Sequence, residues 1–206
     1  MSAFFVGAPG PTMVDMGQHH HTTPEISQRT RMRGVATRQL IAVLALSATG
    51  LIGIVAREGY SDKAYPDPVH GTAVPTIGFG TTEGVRMGDT TAPVPALQRA
   101  LRDVQKYEGA LKQCVTAPLH QHEYDAYVSL AYNIGGFNFC TGGRAGQTST
   151  LVQRLNAGDY AGACDAILGW KYAGGIDCSA PGNTRCAGLW KDRLRLHAQC
   201  MGADAP

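Results

Sequence analysis

The feature that most constrains this chain is an uncharged run at residues 40–56, LIAVLALSATGLIGIVA. It is followed without a gap by a polar stretch rich in acids and glycines, REGYSDKAYPDPVHGTAVPTIGFGTT, residues 57–82. Seventeen uncharged residues sit at the short edge of what a transmembrane helix needs. Arg29, Arg31, Arg33 and Arg38 precede the run. Basic residues stay on the cytoplasmic side of a membrane. The expected topology therefore keeps the N-terminus in the cytoplasm and exports residue 57 onward. The run is only weakly apolar: Ala42, Ala45, Ser47, Ala48, Thr49, Gly50, Gly53 and Ala56 are small or mildly polar. Each buried CH₂ contributes only ~0.8 kcal/mol, so such a segment is held loosely and can leave lipid. A cleavable signal peptide is an alternative, although Ser47-Ala48-Thr49 makes a poor cleavage site. A buried core helix is another.

The cysteines bear on the same question. Cys114, Cys140, Cys164, Cys178, Cys186 and Cys200 all lie on the side expected to be exported. An even number so placed suggests disulfides formed in an oxidising compartment. No CxxC pair is present, so a zinc site is not expected. Cys178–Cys186 brackets a turn-rich SAPGNTR segment and suits a local staple. The other four allow three connectivities, which the sequence leaves open; Cys164–Cys200 with Cys114–Cys140 is the pairing adopted as the expectation. A net charge of +2 argues against the concentrated basic face of a nucleic-acid binder. His19, His20 and His21 have no ligand cluster near them, and the tail, residues 1–39, is expected to be cytoplasmic, with its first 28 residues disordered.

The remainder reads as α+β, mostly α. AYPDPV and AVPTIGFGTT are candidate strands joined by a turn at HG. Pro93 to Cys114 has helical spacing, with Leu97, Leu101, Val104 and Leu111 on one face. Gln121 to Ile134 is a second helix, with Tyr124, Tyr127, Val128, Ala131 and Ile134 on one side and Gly135-Gly136 as its stop. Ser149 and Asp159 are N-cap candidates for two shorter helices. Residues 173–188 read as a loop, and Leu189 to Gln199 as a last helix. Trp170 and Trp190 are expected in the core. His70, His120, His122 and His197 lack metal-ligand spacing. The basic residues between 185 and 195 fit a solvated helix face at least as well as a phosphate contact.

The chemistry centres on carboxylates. Glu58 ends an apolar helical run, where desolvation raises a carboxyl pKa and suits a general acid. Asp67 lies between two prolines within reach of water and is expected to stay ionised. Two acids in unlike environments are what cleavage of a glycosidic bond requires. The hydroxyl of Thr76, opening TIG, is placed to hold a water. Two acids nine residues apart are by themselves ordinary surface residues, so the surrounding motifs carry the weight.

Those motifs are EGYSDKAYPD, TIGFGTT, AYVSLAYNIGGFNFC, STLVQRLNAGDYAGAC and GLWKDR. In order and spacing they resemble glycoside hydrolase family 24, the phage-type lysozymes, over roughly residues 55–200. The resemblance implies a two-lobed lysozyme fold: a small β-hairpin lobe, a long connecting helix and a helical C-terminal lobe, residues 57–206 forming the enzyme domain. It implies hydrolysis of the β-1,4 bond between N-acetylmuramic acid and N-acetylglucosamine in peptidoglycan, without metal or cofactor. Glu58 falls on the family's catalytic acid, Asp67 on its second catalytic position and Thr76 on its catalytic threonine, with Asp67 orienting water. The apolar run resembles the signal-anchor-release segment of exported phage endolysins. That implies a monomer that meets host secretion machinery, resides in the host inner membrane and is then released to the periplasm. Three departures stand out: an Asp67-to-Thr76 spacing of nine where relatives often have six, Thr81 where relatives often have His, and Asp192-Arg193 where they often have two arginines. A lytic transglycosylase using Glu58 alone, or a non-catalytic wall-binding module, are the competing readings.

Overall fold

A computed structural model describes residues 37–67 and 71–202. The histidines at 19–21 and 70, and Arg29, Arg31 and Arg33, lie outside the described residues.

The apolar run is not one continuous helix. Its first part holds a 3₁₀ turn at Ile41–Val43 followed by extended backbone. Helix α1 begins only at Ala48 and runs to Glu58. Ser47 caps it, accepting from the Gly50 N–H at 3.0 Å. Gly59 ends it at φ 71°, a left-handed conformation that suits glycine. Among the described residues, no helix is long and apolar enough to cross a membrane.

Strands β1 (Ser61–Asp67) and β2 (Gly71–Gly78) form an antiparallel hairpin. Tyr65 pairs with Thr76, Pro66 with Pro75 and Asp67 with Gly71, with register shifts before Tyr65 and before Asp67. A proline opposite a proline is tolerated where the pair exchanges no ladder hydrogen bonds. The longer connection is thus absorbed by extending the strands and bulging the ladder.

Helix α2 (Pro93–Cys114) crosses from the hairpin to the helical lobe, and both its ends match the proline and cysteine boundaries read from sequence. Its buried face matches the expected one at Val104 and Leu111 and differs in the N-terminal half. Ala96, Ala100, Val104, Glu108 and Leu111 are buried, whereas Leu97 and Leu101 are exposed. The cause is close approach of the hairpin: a Cβ on Gly78 would lie 2.9 Å from the Ala96 Cβ. A side chain larger than alanine would not fit at position 96.

Helix α3 (Gln121–Ile134) runs through the centre of the core, buried without interruption from Glu123 to Ala131. Gly135 does end it, yet a short helix α4 (Gly136–Thr141) starts at once. Gly136 permits this, since a Cβ there would sit 2.7 Å from the Ala110 Cβ of α2. Helices α5 (Thr150–Asn156) and α6 (Tyr160–Ala166) start on Ser149 and Asp159, which accept from Val152 N–H and Gly162 N–H. The expected loop at 173–188 holds part of a minimal hairpin, β3 (Tyr172–Ala173) with β4 (Ile176–Asp177). Helix α7 (Ala187–Cys200) closes the lobe. Trp170 is half-buried against the core, and Trp190 is half-buried on α7 rather than within it.

Disulfides join Cys114–Cys140, Cys164–Cys200 and Cys178–Cys186. They tie α2 to α4, α6 to α7, and the turn-rich segment to the start of α7. These are the pairs named from sequence. Among the described residues the architecture is mostly helical, with the β1–β2 hairpin and the minimal β3–β4 pair as its two small sheets.

Candidate active site

Glu58 is the last residue of α1. A helix C-terminus carries partial negative charge, which disfavours a carboxylate. The side chain is 25 % exposed, and burial pushes its pKa above the usual carboxyl value. The Arg57 guanidinium opposes that shift and Asp192 reinforces it. The carboxyl faces a cavity of about 220 Å³ walled by Gly80, Asp103, Lys106, Tyr107 and Tyr132. Gly80 is in contact: a Cβ there, at φ 85°, would meet Glu58 Oε2 at 3.0 Å. Tyr132 donates to the Phe79 carbonyl at 3.0 Å. Burial, then the charges of Glu58 and Asp103, hold its hydroxyl protonated.

Asp67 is half-buried at the end of β1. Tyr65 connects it to Glu58, because burial and then the charges of both Glu58 and Asp67 raise the Tyr65 phenol. Thr76 sits opposite Tyr65 in the hairpin, and cross-strand partners project from the same face. Its side chain is buried, at 5 % exposure. Its Oγ1 is buried without a hydrogen-bond partner among the described residues. An unsatisfied buried hydroxyl costs about 1–3 kcal/mol and calls for a polar ligand atom or a water.

The structure resolves two of the three departures. Thr81 is buried and donates to Asp103 Oδ2 at 2.7 Å, which ties the segment after β2 to α2. Asp192 is buried and accepts from three arginines, Arg57 at 3.0 Å, Arg193 at 2.8 Å and Arg195 at 3.0 Å. Arg193, expected on a solvated face, is 2 % exposed and also donates to the Trp170 carbonyl and Asn133. The third departure, the wider Asp67-to-Thr76 spacing, is the longer hairpin already described.

Sequence reasoning missed Arg57, Gly80, Tyr107 and Tyr132 as parts of this site. Arg57 adjoins Glu58 and Gly80 lies inside TIGFG, so both carried a local signal. Tyr132 lies inside the quoted AYVSLAYNIGGFNFC stretch, whereas Tyr107 comes from a remote helix and carried no signal. No group of three or more potential metal ligands occurs among the described residues. His120 precedes α3, and His197 lies 2.9 Å from Asp165.

Comparison with known proteins agrees with this geometry. The phage lysozyme family model matches residues 55–194. The SAR-endolysin of Pseudomonas phage phiKMV is 36 % identical over 126 residues, 61 % of this chain and 72 % of that protein. The endolysin of Salmonella phage P22 is 36 % identical over 137 residues, 64 % of this chain and 87 % of that protein. Among solved structures, the endolysin from Escherichia coli O157:H7 phage FAHEc1 superposes with a TM-score of 0.64 at 30 % identity, covering 80 % of this chain and 98 % of the other. The chain belongs to the phage lysozyme family, glycoside hydrolases that degrade the cell wall as phage endolysins do.

Proposed function

We propose that this chain is an endolysin that hydrolyses the β-1,4 bond between N-acetylmuramic acid and N-acetylglucosamine. Glu58 is the general acid, Asp67 orients the attacking water and Thr76 assists it. Glu58 protonates the leaving glycosidic oxygen while water, held by Asp67 and the Thr76 hydroxyl, attacks the opposite face of the sugar. The observation that carries this reading is the contrast between the carboxyl of Glu58, desolvated and raised, and the buried, unpartnered hydroxyl of Thr76. Glu58 acts in its protonated form. Its contribution is therefore full below its raised pKa and is lost as pH rises through it. Glu58→Gln, which cannot release a proton to the leaving group, should reduce clearance of purified peptidoglycan by roughly 10³-fold. Mass spectrometry of the released fragments should find reducing ends. Anhydro sugars would favour a transglycosylase, and wild-type clearance by Glu58→Gln would remove the assignment.

Export and release belong to the same proposal. Residues 40–56 hold the protein in the host inner membrane, N-terminus inside, until they leave lipid, and the released enzyme works as a monomer in the periplasm, where the disulfides form. The phiKMV relative bears the SAR-endolysin name. The physical support is that residues 40–47 have a backbone that lipid does not tolerate. In the described form their polar groups are satisfied by other elements: Leu46 N–H donates to Glu108 at 2.7 Å; Lys112 donates to the Leu44 carbonyl at 2.6 Å; Gln121 donates to the Ala45 carbonyl at 2.9 Å. Inside a bilayer none of these partners exists, and only a helix satisfies its own backbone. The two environments therefore demand two conformations of one segment.

A further inference from the structure

The guanidinium of Arg57 lies between two carboxylates that compete for it. Its Nη1 donates to Asp192 Oδ1 at 3.0 Å and to Ser129 Oγ at 2.7 Å. Its Nε stands 3.6 Å from Glu58 Oε1, beyond hydrogen-bond reach. Nε and Nη2 are buried and make no hydrogen bond among the described residues, although Nε keeps its 3.6 Å ion-pair contact with Glu58. Two unsatisfied donors beside an acid have every electrostatic reason to turn toward it. A full guanidinium–carboxylate pair would hold Glu58 ionised and leave it no proton to give. Asp192 wins the competition because it is itself fixed. It is 8 % exposed, Arg193 holds its Oδ2 at 2.8 Å and Arg195 its Oδ1 at 3.0 Å.

We propose that Asp192 is a positioning residue for the general acid: with Ser129 it holds the Arg57 guanidinium off Glu58, so that the acid keeps its proton until the glycosidic oxygen takes it. This rests on the reading of Glu58 as that acid. The other titratable groups around Glu58 do not hold Arg57. Tyr65 and Asp67 come from β1, Asp103, Lys106 and Tyr107 from α2, Tyr132 from α3 and Glu83 from the loop between β2 and α2. Lys106 is itself paired with Glu83 and Asp103.

The test is the pH dependence of kcat/KM on purified peptidoglycan, with the released full-length protein. Glu58→Gln is measured first; if it retains activity, the acid assignment fails and the role of Asp192 falls with it. With that variant inactive, Asp192→Asn frees the guanidinium to approach Glu58. The alkaline limb of the profile should move to lower pH by about one unit, roughly a tenfold loss on that limb, with KM little changed. Asp192→Glu should recover much of the shift. In an Arg57→Met background, Asp192→Asn should add almost nothing, because the effect runs through the guanidinium. A folded Asp192→Asn protein whose profile is only scaled, with its limb unmoved, overturns the proposal. An equal shift with and without Arg57 also overturns it, since Asp192 would then act by its own field. If Asp192→Asn does not fold, Ser129→Ala loosens the same guanidinium without unpairing Arg193. Its limb should move in the same direction, and an unmoved limb refutes the proposal.

Discussion

At the scale of single residues, the site depends on what has no side chain as much as on what has one. Gly80 adopts φ 85°, and a Cβ there would lie 3.0 Å from Glu58 Oε2. Gly80→Ala therefore carries a left-handed backbone cost of about 1–3 kcal/mol and also pushes directly on the acid. The expected result is a fall in kcat of about tenfold with KM nearly unchanged and a lower melting temperature, read by peptidoglycan clearance and thermal unfolding. Legibility at this scale follows chain locality. Glu58, Asp67 and Thr76 could be proposed from sequence because each lies in a short, patterned stretch. Tyr107, Tyr132 and Asp103 meet Glu58 only after α2 and α3 pack, and nothing near Tyr107 or Asp103 in the chain announces it.

At the scale of elements, α1 is held by charge from its neighbours. Asp125 of α3, 5 % exposed, accepts from Ser47 N–H at 3.0 Å, Ser47 O–H at 2.5 Å and Gln121 at 2.8 Å. Glu108 of α2 accepts from Leu46 N–H and Tyr124 O–H, both at 2.7 Å. Glu123 takes Arg38 at 2.7 Å, and the Arg38 guanidinium also lies 3.5 Å from the Tyr160 ring centroid. Three carboxylates thus dock the segment that ends on the acid. Asp125→Ala leaves the Ser47 N–H and hydroxyl at the start of α1 without their acceptor and should cost about 3 kcal/mol, measured by urea unfolding of the released protein. Activity should fall further than stability explains, because Glu58 sits at the other end of the same helix. Helix limits were legible where caps and prolines punctuate them, as at Pro93, Ser149 and Asp159. The buried face of α2 was legible only in its C-terminal half, at Val104 and Leu111. The leucine spacing pointed to Leu97 and Leu101, but the hairpin that covers α2 selects Ala96 and Ala100 by size.

At the scale of the whole molecule, the proposed release of residues 40–56 from lipid gives that segment two environments, and a substitution there would act on both. A Cβ on Gly53 would meet nothing within 4 Å, whereas a Cβ on Gly50 would strike Leu46 at 2.7 Å and Asp125 at 2.9 Å. Gly53→Leu is therefore the clean probe of release. It adds four carbons, about 3 kcal/mol of preference for lipid, and its Cβ enters open space in the docked form. Cell fractionation should find more protein in the membrane and lysis should be delayed, while protein already released keeps its specific activity. Unchanged fractionation would argue against a membrane-held state. Gly50→Leu would disturb the docked form as well and separates nothing.

Sequence alone determined what local patterning controls: the helical lobe with its hairpin, the helix limits set by caps, and a carboxyl, Glu58, at the end of an apolar run. These follow from covalent geometry, spacing and transfer energy, all of which act over a few neighbouring residues. Tertiary structure alone decided that Ala96 and Ala100 rather than Leu97 and Leu101 are buried on α2, which side chains wall the cavity beside Glu58, and that Asp192 is paired with Arg57, Arg193 and Arg195. Those outcomes depend on distances between residues far apart in the chain, and burial sets the strength of each electrostatic contact only once the elements have packed.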